Sequence, residues 1–119
     1  MALFFPMKTK VRVLYWKEVP VQVQAEDEAG RVSVMLEDRF QEAADAIAMF
    51  EGSYGTDEYL EGWHWAMPQE VEATAREAAG GLAERYNSGM PRDFVARIRE
   101  LHNQGMRDAT PGAIDEWVQ

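Results

Sequence analysis

Hydrophobic and polar residues alternate over the first third of the chain, which is the pattern of β-strands with one buried face. A first strand over residues 10–16 and a second over residues 21–25 are separated by Pro20, which cannot donate a hydrogen bond to a neighbouring strand and therefore marks the turn. The acidic segment 26–30 contains a glycine and leads into a third strand at residues 31–36. These strands predict a three-stranded meander.

The hydrophobic period then changes to that of a helix. Asp38 and Gln41, three residues apart, resemble a capping box and predict a helix that starts at Asp38 and ends in a glycine-containing turn. Residues 59–67 are rich in aromatic side chains and predict a fourth strand. Trp63 and Trp65 would share one face of this strand and pack under the helices.

Two further helices are predicted in the second half of the chain. Pro68 fits the first position of one of them, and Gly80-Gly81 inside it predicts a kink or a close packing contact. Pro91 opens the other helix, which ends near Gly105. The sequence thus predicts an α+β fold: a four-stranded, mainly antiparallel sheet in the order β-β-β-α-β-α, with helices packed on one face and an extra C-terminal helix.

Length, charge and cysteine content exclude several classes of protein. The 119 residues fit a single domain. A formal net charge of −9 opposes binding to nucleic acids and to anionic membranes, because both depend on clustered basic residues. The absence of cysteine excludes disulfides, thiolate nucleophiles and metal sites built from cysteine. We therefore predict no metal, no cofactor, no nucleic-acid partner and no membrane association.

The first residues do not have the pattern of a secretion signal. Residues 1–6 are apolar but lack a preceding positive segment and a small-residue cleavage site. No apolar run approaches the ~18 residues of a membrane helix, so we expect a cytoplasmic protein. Met7 offers an alternative start, which leaves open whether residues 1–6 are native.

His64 is the one residue whose position raises the possibility of catalysis. It lies between two tryptophans, and with Glu61 or Asp57 it would serve proton transfer in a small hydrolase or isomerase. A histidine that hydrogen-bonds or faces water is the simpler interpretation, because 21 acidic residues place carboxylates near any histidine by chance. We therefore assign no catalytic residue, and His64 with Glu61 stays an alternative.

The first strand presents a second face that carries Leu14 and Trp16. If helices cover only one side of the sheet, these two side chains form an open patch for a protein partner or a second copy of the chain. Trp63 and Trp65 belong either to this interface or to the core. The leading hypothesis is a non-enzymatic binding or adaptor module, and a structural homodimer subunit is a further alternative.

Four segments carry a resemblance to a known family: VRVLYWKEVPVQVQA at residues 11–25, GRVSV at 30–34, FQEAAD at 40–45 and YLEGW at 59–63. They are similar to a small bacterial domain family known as virulence factor, of the conserved virulence factor C type. The resemblance covers about residues 8–88 and leaves residues 89–119 as a C-terminal helical extension. It implies a short cytosolic α+β domain and supplies no catalytic residues, since the family label describes a phenotype.

Overall fold

A five-stranded antiparallel sheet is the centre of the fold. The computed structural model describes residues 8–119, so the question of residues 1–6 lies outside it. The strands are β1 (Thr9–Trp16), β2 (Val19–Asp27), β3 (Gly30–Met35), β4 (Trp63–Trp65) and β5 (Gln69–Val71). The helices are α1 (Asp38–Glu51), α2 (Asp57–Glu61), α3 (Ala75–Gly89) and α4 (Phe94–Asn103), followed by a 3₁₀ turn (Asp115–Trp117). The predicted α+β class with an antiparallel sheet and a C-terminal helix is confirmed.

β1, β2 and β3 form the predicted meander, with β1 inside the sheet. The strand order is β3-β2-β1-β4, and β5 also pairs with β1. A two-residue turn joins β1 to β2, and its first residue, Lys17, has the left-handed φ of 50° that such a tight turn requires. The register between β1 and β2 shifts after Leu14, which adds a bulge near the turn.

The fourth position in the sheet is filled by two short strands rather than one. β4 pairs with the C-terminal half of β1, and β5 pairs with its N-terminal half. Pro68 lies in the break between them and leads into β5, so the prediction that Pro68 starts a helix is wrong. The predicted strand at residues 59–67 is correct only for β4, because the preceding residues form α2.

Helix α3 starts at a capping box formed by Thr74 and Glu77, whereas the capping box was predicted at the start of α1. Thr74 Oγ1 accepts a hydrogen bond of 3.1 Å from the backbone N–H of Glu77, whose side chain accepts from the backbone N–H of Thr74. Helix α1 does start at Asp38, but without a side-chain cap, since Gln41 donates to Asp45 instead. The helix-start rule is therefore satisfied at α3 and not at α1.

Helix α3 is continuous through Gly80 and Gly81. Both glycines are exposed, and a β-carbon at either one would have no atom within 4 Å. The predicted kink or close packing contact is therefore wrong, and these glycines only weaken the helix.

The helices bury one face of the sheet. Val13, Val23 and Ala25 of the sheet share a single hydrophobic core with Phe40 of α1 and the residues that follow α3. The latter are Met90, Phe94, Ile98 and Ile114. The Phe40 and Phe94 rings lie 5.4 Å apart. Residues 89–119 thus contribute to the same core as the rest of the chain.

Candidate functional site: the open face of the sheet

The face of the sheet turned away from the core carries the candidate site. We call it the open face, and every residue on it is at least partly exposed. It consists of Lys10, Arg12, Leu14, Gln22, Gln24, Glu26, Arg31, Ser33, Met35, Trp65 and Glu70. The alternation of side chains along β1, β2 and β3 places these residues on one side.

One row of the open face crosses four strands and is apolar at three of its four positions. Leu14 lies opposite Trp65 on one side and Gln22 on the other, and Gln22 lies opposite Met35. Met35 is 59% exposed and Trp65 is 37% exposed. Side chains paired across strands contact one another directly, so this row forms a continuous surface. We call it the apolar row.

Arg12 extends the apolar row with a positive charge. Its guanidinium lies 4.0 Å from the centre of the Trp65 ring, within the range of a cation–π contact. Its Nε and Nη2 both donate to Gln24 Oε1, at 2.9 and 2.6 Å. These contacts hold the guanidinium over the tryptophan ring, so the charge is positioned before anything binds.

The rest of the open face is of mixed charge. Lys10 lies opposite Glu26 and Glu70, and Arg31 makes an exposed ion pair of 3.0 Å with Glu26. Together with Arg12, the face has three basic and two acidic residues. This balance differs from the strongly acidic chain as a whole.

Two of the tryptophans, Trp16 and Trp65, lie on faces other than the predicted ones. Trp16 is fully buried, and its Nε1 donates to the backbone oxygen of Tyr59 at 2.8 Å. Trp65, expected under the helices, lies on the open face, whereas Trp63 packs against the core. The reason is that α2 folds over the turn end of the β1–β2 hairpin and covers Trp16 there. The expectation of an exposed Trp16 is wrong, and the binding role of Leu14 and Trp65 stays a prediction.

The burial of Trp16 depends on a glycine at the end of α2. A β-carbon at Gly62 would lie 2.6 Å from Trp16 Nε1, which is closer than any real contact. Gly62 therefore lets the indole pass directly over the backbone. Its φ of −71° is ordinary, so close approach and not backbone freedom is the reason for glycine here.

His64 and its predicted carboxylate partners are not brought together. His64 is exposed on β4, opposite Tyr15 of β1. Within residues 8–119 no carboxylate lies within 4.0 Å of its side chain. Asp57 and Glu61 are both exposed on α2. The hydrolase or isomerase alternative therefore gains no support from the geometry.

The described part of the chain contains no group of three or more histidine and acidic side chains arranged to hold a metal ion. None of the helices within residues 8–119 has the length and apolar character that crossing a bilayer requires.

A buried group of charges, missed from the sequence, joins the C-terminal segment to the β1–β2 turn. Arg107 donates from Nε and Nη2 to the two oxygens of Glu18, at 2.6 and 2.7 Å. Its Nη1 donates to Glu51 Oε2 at 2.6 Å, and Lys17 donates to Glu51 Oε1 at 2.6 Å. We call Lys17, Glu18, Glu51 and Arg107 the ion cluster. Both carboxylates are fully paired, which a buried charge requires.

Protonation in the ion cluster follows from these contacts. Burial by itself raises the pKa of Glu51, but hydrogen bonds from Lys17, Ser53 and Arg107 outweigh burial and lower it. Burial by itself lowers the pKa of Arg107, and its bonds to Glu18 and Glu51 outweigh this and raise it. The cluster therefore favours the charged forms of both groups.

A second buried group, also missed, contains Tyr15, Tyr86 and Asp115. The Tyr15 and Tyr86 hydroxyls donate to Asp115 Oδ2 at 2.6 and 2.9 Å, and the two hydroxyl oxygens are 3.1 Å apart. Burial is the main reason that the pKa of each tyrosine is raised, and the bond to Asp115 adds to the effect at Tyr15. We call these three residues the tyrosine cluster.

Neither cluster could be predicted from local sequence patterns, because the members of each are far apart along the chain. Arg107 and Glu18 are separated by 89 residues, and Tyr15 and Asp115 by 100. No spacing rule relates positions at such distances. Only the packing of the C-terminal segment against the sheet brings them together.

A family model described as virulence factor matches residues 14–101, which is most of the chain. The chain belongs to the virulence factor family. The predicted resemblance is confirmed, and membership associates the chain with virulence in general. The virulence factor match reaches residue 101 rather than about 88, so it includes all but the last two residues of α4. It also contains all four residues of the apolar row. No curated protein and no solved structure matches the chain.

Proposed function

We propose that this virulence factor domain is a non-enzymatic binding module that docks a partner protein on its open face. The observation that supports the proposal is the apolar row, an exposed line of side chains across four strands with a charged arginine stacked at its side. Sheets that leave one face to solvent usually present polar side chains there. Exposed methionine and tryptophan in a row are typical of a surface that another molecule covers.

The partner that fits this face is a protein with an apolar patch bordered by carboxylates. Trp65 and Met35 supply aromatic and flexible apolar contact, and side chains of these types are enriched at protein interfaces. Arg12 and Lys10 present positive charge beside them, which a carboxylate of the partner complements. A second copy of the chain would bring the same excess of basic residues to both sides of the contact, so we propose a different protein. We place this binding in the bacterial cytoplasm, where a chain without cysteine suits the reducing environment.

Site-specific photocrosslinking tests the proposal. A photoreactive amino acid is introduced at Met35 on the open face and, as a matched control, at Met106, which is 70% exposed outside it. In cells that express the protein, Met35 should give a discrete crosslinked product that Met106 does not give. A product of twice the 13.6 kDa of the chain would overturn the proposal in favour of a homodimer.

The captured partner then allows a quantitative test. Met35→Glu should weaken binding of the purified partner at least tenfold, while Met106→Glu should leave it within twofold of the wild type. Arg12→Gln should weaken binding most at low salt, since screening already reduces a charge contact at high salt. Equal binding by the wild type and Met35→Glu, with both folded by circular dichroism, would refute docking on this face.

A further inference from the structure

β3 forms one edge of the sheet, and its outer backbone groups have no partner strand. It pairs with β2 alone, and the N–H of Leu36 continues this pairing by donating to the backbone oxygen of Val21 at 3.0 Å. Because the hydrogen-bonded positions alternate along an antiparallel pair, Arg31, Ser33 and Met35 direct their N–H and C=O groups away from β2. Within residues 8–119 no other strand pairs with these groups.

The opposite edge of the sheet is protected, whereas β3 is not. On that side β4 and β5 have three residues each, and Pro68 lies between them. β3 has six residues, contains neither proline nor lysine, and pairs with β2 without a register shift. Short strands, proline, lysine and bulges usually protect an edge, because an unpaired strand binds other extended chains. The alternating N–H and C=O groups of such a chain are the chemistry that the edge of β3 matches.

A groove of about 540 Å³ lies beside this edge, between the start of β3 and the start of α3. Arg76 of α3 lines the groove, is exposed and makes no ion pair within residues 8–119. The carboxylate of Asp27, which also lines it, already accepts from the backbone N–H groups of Ala29, Gly30 and Ala75. The groove therefore presents a positive charge with which a carboxylate of a bound chain would pair.

We propose that the partner of the open face adds an extended segment to the edge of β3, as a further strand of the sheet; this inference rests on the proposed function. Met35 belongs both to the apolar row and to β3, so a protein that covers the row also reaches this edge.

The side chains of the added strand alternate between the two sides of the sheet. The residue opposite Met35 lies on the open face and extends the apolar row. The residue opposite Val32 points to the other side, towards the groove and Arg76. An apolar and an acidic residue three positions apart therefore fit the two places.

Random ten-residue peptides displayed on phage are the probe, because strand addition needs only a short extended chain. Selection on the purified protein should enrich peptides with an apolar and an acidic residue three positions apart. The most enriched peptide, made synthetically, should shift the ¹H–¹⁵N NMR signals of residues 30–36. A selection that enriches no peptide, or shifts confined to residues outside this edge, would overturn the proposal.

Backbone methylation of the same peptide tests strand addition directly. Only alternate N–H groups of an added strand face β3. Methylating the nitrogens of one alternate set should therefore weaken binding at least tenfold, and methylating the other set should weaken it less than twofold. Equal effects of the two sets would show that the peptide does not bind as a strand.

Matched variants assign the binding to the edge of β3. Ser33→Pro removes an outward N–H without breaking a bond to β2 and should weaken peptide binding at least tenfold. Ser33→Ala also loses the hydroxyl but keeps the N–H, and should change binding less than twofold. Arg76→Gln should weaken binding about threefold and Arg92→Gln, also exposed, should not, which gives a second test if Ser33→Pro does not fold. Unchanged binding in folded Ser33→Pro or in Arg76→Gln would refute the proposal.

The captured partner separates strand addition from docking on the open face. If Met35→Glu weakens its binding and folded Ser33→Pro does not, the partner covers the open face without adding a strand, and only this proposal fails. If Ser33→Pro weakens its binding and Met35→Glu does not, strand addition stands and docking through the apolar row fails. A wild-type mass of twice 13.6 kDa in light scattering, with Ser33→Pro a monomer, would assign the edge to a second copy and overturn the proposal.

Discussion

The ion cluster and the tyrosine cluster both join the C-terminal segment to the β1–β2 hairpin, yet they differ in how fully they are satisfied. In the ion cluster both oxygens of Glu18 and both oxygens of Glu51 accept hydrogen bonds. In the tyrosine cluster both hydroxyls donate to the same oxygen of Asp115, and the other oxygen has no partner within residues 8–119. Tyr15 and Glu18 are only three residues apart, so one short stretch of the chain contributes a residue to each cluster.

The two clusters differ in whether a cation pairs with the carboxylate. A saturated, buried network has nothing left to offer a ligand, and it stabilises the position of the segment after α4. The tyrosine cluster holds its carboxylate with two neutral hydroxyl donors and no ion pair, so its hydrogen bonds depend less on charge. We therefore expect the two clusters to respond in different ways to the loss of charge.

Removing the arginine of the ion cluster should have the largest effect. Arg107→Met leaves Glu18 buried without a cation, and breaking such a pair costs about 3–5 kcal/mol in the free energy of unfolding. Arg31→Met is the control, because its ion pair with Glu26 is exposed and should contribute less than about 1 kcal/mol. Urea unfolding measures the free energy of unfolding of both variants. A loss below 1 kcal/mol for Arg107→Met would show that the network does not hold the C-terminal segment.

Neutralising one carboxylate in each cluster tests the comparison directly. Glu18→Gln should lower the free energy of unfolding by about 2–4 kcal/mol, since an amide nitrogen then faces Arg107 and the buried positive charge keeps only Glu51 as a partner. Asp115→Asn should cost about 1 kcal/mol, because its remaining oxygen still accepts from both tyrosines. Chemical denaturation of the two variants measures the loss in the free energy of unfolding that each substitution causes. Equal losses would contradict the claim that only one cluster depends on charge.

The two clusters should also limit stability at opposite ends of the pH range. The pKa of Glu51 is lowered on folding, so its contribution is present above the unfolded pKa of about 4.3 and is lost as the pH falls below it. The pKa of Tyr86 is raised, so its contribution is present below about pH 10 and is lost as the pH rises above it.

Variants separate these two limits. Glu51→Gln should flatten the decline in the free energy of unfolding between about pH 5 and 3, and Tyr86→Phe should flatten the decline above about pH 10. Tyr59 contributes to the alkaline limit in both proteins, since burial and its bond to Asp45 raise its pKa to about 12. Urea unfolding across pH measures the slopes. If the free energy of unfolding of a variant depends on pH as steeply as that of the wild type, the substituted residue does not cause the decline in that pH range.

Local periodicity predicted the parts of the fold that depend on neighbours in sequence. The alternation in β1, β2 and β3 correctly separated the buried face, with Val13 and Val23, from a face with Leu14 on it. Trp16 continues the same alternation as Leu14 but is buried, because α2 folds over the hairpin end. Alternation describes a single strand and carries no information about which element lies across it.

The start of α3 does have a local signal in the sequence. Thr74 and Glu77 have the spacing of a capping box and mark this start, whereas the proline rule predicts a start at Pro68. Proline fits the first position of a helix and the entry to an edge strand equally well, so it does not distinguish them. Both clusters lay beyond any local rule, because Arg107 and Asp115 meet the hairpin only after the chain has folded.

The smallest expected effect comes from helix α3, which carries Tyr86 but also the two exposed glycines. Gly80→Ala and Gly81→Ala should each stabilise the protein by about 0.5–1 kcal/mol, because alanine favours the helix and a β-carbon at either position meets no atom within 4 Å. Both residues lie on the exposed side of α3, away from the tyrosine cluster, so the contacts of that cluster should not change. Thermal unfolding measures the gain. A loss of stability in either variant would mean that this part of α3 needs glycine for a reason other than space.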